Sequence, residues 1–139
     1  MTTQEFFRIV ASHLTDGGVL TINSASVPGD YRLINGLATT MATVFPSIYM
    51  VDIPGSLNTI IFATKQETKA ENFAANLMVL SNDPSVHPLL IHTMQTTFSS
   101  LRTEHETTTV FTDDHAPIEW IVNDMVMRFI LEGGTEYLQ

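Results

Sequence analysis

A chain of 139 residues with six basic and fifteen acidic side chains carries a net charge of −9 and has no cationic face to offer a phosphate backbone. The absence of cysteine excludes disulfides, thiolate nucleophiles and cysteine-ligated zinc. An apolar share of 44% against 15% charged predicts a folded chain, long enough for one domain with its own core.

In chain order, Phe6, Ile9, Val10 and Leu14 recur at helical spacing. Thr2 and Glu5 offer a capping box, in which hydroxyl and carboxylate each satisfy an orphan backbone N–H. Asp16-Gly17-Gly18 predicts the helix stop, with glycine in the left-handed conformation. Val19–Asn23 reads as a buried strand. Val27-Pro28-Gly29-Asp30 is loop chemistry, with Asp30 a candidate N-cap for a helix over 31–45. That helix would bury Leu33, Leu37, Met41, Val44 and Phe45, and Pro46 closes it. Ser47–Ile53 and Asn58–Thr64 are rich in strand formers. The turn residues Pro54-Gly55-Ser56-Leu57 between them predict an antiparallel hairpin.

Beyond Lys65 the pattern becomes helical. Thr68 and Glu71 offer a second capping box for a helix to about Leu80. Ser85 and Pro88 open another, expected to bury Leu90, Ile91, Met94, Phe98 and Leu101. Thr103–Thr109 reads as a loop and Val110-Phe111 as a short strand. The last helix is expected from Pro117 to about Leu131, with Ile118, Ile121, Val122, Met125, Val126 and Phe129 inward. Gly133-Gly134 would end it.

Chemistry has few candidate positions. Asp113, Asp114 and Glu119 could meet an ammonium group, or Asp113 or Asp114 could cap the last helix. Ser56 and Asn58 are polar candidates in the hairpin, where a plain tight turn is the other reading. His13, His87, His92 and His105 show no metal-ligand spacing, so no metal site is expected. Both glycine pairs follow helices, so no phosphate loop is present. The acidic balance either keeps the chain soluble or concentrates a cationic substrate. No apolar run approaches the roughly 20 residues that span a bilayer, and no secretory signal is visible, so a cytoplasmic location without membrane or nucleic-acid contact is expected.

Three stretches resemble the spermidine synthase-like (polyamine aminopropyltransferase) family in its own order. Thr2–Asn23, TTQEFFRIVASHLTDGGVLTIN, looks like the helix and strand that follow that family's catalytic loop. Val51–Lys65, VDIPGSLNTIIFATK, looks like its final hairpin, although the tyrosine and glutamine of its Tyr-Pro-Ser-Gly-Gln-like turn are missing. Thr112–Trp120, TDDHAPIEW, looks like the Thr-Asp-Asp-x-Ala-Pro-Val-Glu signature near the C-terminus of members that include proteins fused to membrane transporter segments.

The resemblance implies the C-terminal half of a Rossmann-like S-adenosylmethionine-dependent methyltransferase fold. Residues 1–65 would form the partial α/β unit, with the last hairpin strand inserted antiparallel between two parallel strands, and residues 66–139 a helical extension packed on it. It implies aminopropyl transfer from decarboxylated S-adenosylmethionine to an amine in the complete protein, with no catalytic or cofactor-binding residue in this part. The alternatives are part of a related S-adenosylmethionine-dependent methyltransferase, or a non-catalytic interaction module. The implied partner is the N-terminal half or a second copy, recruited along the open edge of the Val19–Asn23 strand.

Overall fold

The structure is a computed structural model and describes residues 2–133. Helix α1 (Gln4–His13) leads into strand β1 (Val19–Ala25). Helix α2 (Arg32–Ala42) crosses to β2 (Ser47–Asp52), which turns back into β3 (Asn58–Thr64). Helices α3 (Ala70–Ser81) and α4 (Pro88–Ser99) form a helical pair, β4 (Leu101–Arg102) returns to the sheet, and α5 (Ile118–Leu131) closes the fold.

The sheet order is β1-β3-β2-β4. Both β1 and β2 pair antiparallel with β3, so they run parallel to each other with the hairpin strand between them, as expected. Strand alternation puts Leu20, Ala63 and Ile48 in one row and Ile22, Ile61 and Met50 in the next, all on one face. That face meets Phe7 of α1, the length of α2, and Ile121 and Met125 of α5, forming the core.

Every residue of α2 from Leu33 to Met41 is buried. Two of its polar members, Thr39 and Thr40, bond to the irregular segment that leads to α5. Thr40 Oγ1 donates to Gly36 O at 2.7 Å and accepts from Phe111 N at 2.9 Å, while Thr39 Oγ1 accepts from Thr108 N at 3.2 Å. Val110-Phe111 is therefore not a strand. Its backbone bonds run to α2 and α1, with Phe111 O accepting from Gln4 N at 2.8 Å.

Other local expectations are corrected. Thr3, not Thr2, caps α1, its hydroxyl accepting from Phe6 N, and Phe7 rather than the exposed Ile9 enters the core. The helix ends at Leu14 without a left-handed glycine. Gly18 is needed instead for close approach, since a Cβ there would lie 2.7 Å from the Leu14 Cβ. Tyr31 holds the N-cap position of α2, while the Asp30 carboxylate, one residue earlier, accepts from Arg32 N at 3.3 Å. Thr68 does not cap α3; its hydroxyl meets Tyr49 and Thr64, and its amide donates to Ser47 Oγ. α4 buries none of its side chains, with Leu90 and Phe98 exposed, because it packs on α3 through the Phe73–Phe98 stack and not on the core. Leu101 belongs to β4, so the part after residue 65 contributes a strand as well as helices. Gly133 is left-handed at the end of α5; Gly134 lies outside the described residues.

Candidate functional site

Thr112–His115 is a tight turn closed by two backbone bonds, Thr112 N to His115 O at 3.1 Å and His115 N to Thr112 O at 3.0 Å. The turn lies across the start of α1. The Thr3 hydroxyl donates to Asp113 Oδ1 at 2.5 Å, and Asp113 N donates to Glu5 Oε2 at 3.1 Å. Asp113 thus places its charge at the positive end of α1. The capping of α5 by Asp113 or Asp114 is corrected: Pro117 is its N-cap and no side chain bonds there. The closed turn separates both aspartates from the first amides of α5, and a capping oxygen reaches only two or three residues onward. Asp114 and Glu119 are exposed, Glu119 in the first turn of α5.

In the hairpin, Gly55 has a φ of 72°, which the turn requires. Ser56 donates from both its amide and its hydroxyl to Ile53 O, at 3.1 and 3.2 Å. Asn58 opens β3 opposite Ala25, and its carbonyl accepts from Ile53 N at 3.0 Å. Ser56 and Asn58 are therefore committed to the turn, at least in part. Among the described residues no hydrogen bond joins them to Asp113, Asp114 or Glu119.

Two arginine networks went unread in the sequence. At the end of β2, Asp52 accepts from Nε and Nη2 of Arg102, at 2.9 and 3.0 Å, and from the Thr59 hydroxyl at 2.6 Å. The same guanidinium lies 4.7 Å over the Tyr31 ring. In the second network Arg32 pairs with Asp30 at 2.5 Å and Asp124 at 2.7 Å, and Arg128 pairs with Asp124 at 2.9 Å. The Arg32 hydrogen bond holds the Asp30 carboxyl below its ordinary range. It does the same to Asp124, with help from the Arg128 charge. Arg32 is raised in turn by its bonds to the two aspartates. Burial pushes the His105 imidazole down.

One sequence signal could have found these networks. With only six basic side chains against fifteen acidic ones, each arginine has many candidate partners, and among the described residues Arg32, Arg102 and Arg128 end in ion pairs.

Asp52 ends β2 and the loop from Ser26 to Tyr31 follows β1, so both lie at the carboxyl ends of these strands, the side on which open α/β sheets bind ligands. The described residues there form no glycine-rich strand–loop–helix cradle, so they do not fit an adenosyl group. Among the described residues no three acidic or histidine side chains converge as a metal set.

The whole chain is similar to the "Probable polyamine aminopropyl transferase" of Bifidobacterium longum, at 28% identity over an alignment of 152 residues. It spans about a third of that curated relative, 34% of its length. A solved structure, a probable spermidine synthase from Corynebacterium glutamicum, is similar over 78% of this chain and 42% of that one, at 20% identity and a TM-score of 0.47. No family model matches the chain.

Proposed function

We propose that this spermidine synthase-like chain is the C-terminal part of a protein that transfers an aminopropyl group from decarboxylated S-adenosylmethionine to an amine. The observation that carries this reading is the alignment of the entire chain with a probable polyamine aminopropyl transferase. The order of the motifs at Thr2–Asn23, Val51–Lys65 and Thr112–Trp120 supports it.

In such a transfer the amine nitrogen attacks the propyl carbon next to the sulfonium. The carbon–sulfur bond breaks, methylthioadenosine leaves and the amine gives up a proton. The role of these residues is on the amine side. Asp113 is engaged by Thr3, so Asp114 and Glu119 are the carboxylates available to draw in a cationic amine. Ser56 and Asn58 would shape the hairpin rather than hold substrate. Nucleotide binding is assigned to other residues of the complete protein. No helix among the described residues is long and apolar enough to cross a membrane.

The complete protein, given decarboxylated S-adenosylmethionine and 1,4-diaminobutane, should release methylthioadenosine and the aminopropylated amine. Asp114→Asn with Glu119→Gln should raise KM for the amine more than it lowers kcat. Turnover of S-adenosylmethionine to S-adenosylhomocysteine instead would assign the chain to a methyltransferase. Release of neither product would sink the reading.

A further inference from the structure

The face of the sheet turned away from the core is only partly covered. Register places Phe62 between Thr21 and Tyr49 on that face, and in the next row Ile60, Val51 and Leu101. The α3–α4 pair stands over it, yet no side chain of either helix is buried. A cleft of about 550 Å³ is left between sheet and helices, lined by Val19, Val51 and Phe62 and by Phe73 of α3. That volume is in the range of small-molecule sites.

The charge of the walls says what would fill it. In a chain with fifteen acidic and six basic residues, the cleft is lined by one charged side chain, Lys69, and by no carboxylate. Lys69 holds the N-cap position of α3, and among the described residues its ammonium makes no ion pair. Its sequence neighbours Glu67 and Glu71 do not line the cleft. The Tyr49 and Thr64 hydroxyls that do are committed to Thr68 Oγ1, at 3.0 and 3.1 Å, whereas the exposed Asn72 and Asn76 carboxamides are open to solvent. A lone ammonium on an apolar cleft matches a ligand with one negative charge and an apolar body. A cation would meet no carboxylate there, and a dianion would find one counter-charge for two.

We propose that this cleft binds a straight-chain alkanoate of medium length. Its carboxylate accepts from the Lys69 ammonium and the Asn72 carboxamide, and its methylenes pack on Val51, Phe62 and Phe73. The site lies across the sheet from α1, α2 and α5, and it stands whether or not the complete protein transfers an aminopropyl group.

Titration of the 139-residue chain with sodium decanoate, below its micelle concentration and at fixed ionic strength, should give a saturable isotherm in calorimetry. Amide shifts in a two-dimensional NMR spectrum should be largest at Phe62 and along residues 69–76. Each methylene removed from the tail should weaken binding by up to roughly fourfold. Lys69→Gln and Asn76→Asp, both at exposed positions, should each weaken it roughly threefold to fivefold, and Lys69→Arg should restore it. No isotherm with decanoate, equal affinity in the Lys69→Gln/Asn76→Asp double variant, or a decyltrimethylammonium isotherm as strong as that of decanoate overturns the proposal. Decanoate affinity that falls as protein concentration rises would assign the cleft to a second copy of the chain and overturn it as well.

Discussion

Gly36 lies in the middle of α2, where alanine is ordinarily the better helix former by about 1 kcal/mol. Here the order reverses, because a Cβ at Gly36 would sit 2.2 Å from Cζ of Phe111, a ring only 2% exposed. Gly36→Ala should destabilise the protein by about 1–3 kcal/mol, the usual range for overpacking a filled core, read as a lower urea midpoint at unchanged slope. Adding Phe111→Leu should recover part of the loss, and a purely additive double variant would refute the contact. The residue scale is also where the sequence was least legible. Gly36 looked like any residue in an apolar run, and nothing local announces a ring that arrives 75 positions later. The same holds for Asp113. Local rules assign it to the next helix, but the fold brings the start of α1 within reach of its carboxylate. Thr3→Ala, which removes both that bond and the cap, should cost about 1–2 kcal/mol in the same assay.

At the scale of elements, α5 is tied to the start of α2 by apolar contact and by the Asp30–Arg32–Asp124–Arg128 chain. Both aspartates titrate below their ordinary value of 3.8 in the fold. A carboxyl with a lowered folded-state pKa contributes stability that is complete above its unfolded pKa and lost as pH falls through the folded one. Wild-type stability should therefore drop on acidification below about pH 4, beginning near the unfolded-state pKa. Arg32→Gln removes the cause of the shifts and should flatten that acid limb while lowering stability at pH 7. Urea midpoints from pH 3 to 7 would decide, and parallel profiles would discount the network. The elements themselves were more legible than their environments. Turn residues and strand formers located the β2–β3 hairpin to within a residue, because those signals act over four or five positions. The apolar residues of α4 gave its length but not its partner. A helix that packs on another helix shows the same period as one that packs on a core, so Leu90 and Phe98 were misplaced.

At the scale of the whole molecule the exposed feature is the outer edge of β1. Among the described residues this strand pairs only with β3, and its seven residues, VLTINSA, contain neither a charge nor a proline to blunt the edge. The pairing shows which groups are exposed. Backbone bonds join Gly18 with Lys65 and Ser26 with Leu57, and antiparallel pairs alternate, so the amides of Thr21 and Asn23 face away from β3. In a solution of the chain alone, a second copy can bring a strand to meet them. Association should compete with the repulsion between two chains of net charge −9, so it should strengthen with salt as well as with concentration. Sedimentation velocity should show a weight-average coefficient that rises with both. Thr21→Pro deletes an outward amide without touching a β1–β3 bond, and Thr21→Lys puts a charge on the edge; either should hold the chain monomeric at concentrations where the wild type associates. If both variants associate as the wild type does, the contact runs through another surface, with the exposed Met78, Val79 and Leu89 of the α3–α4 pair the next to substitute. A wild type that stays monomeric throughout would mean that β1 tolerates an open edge, and the strand would lose its claim to a partner.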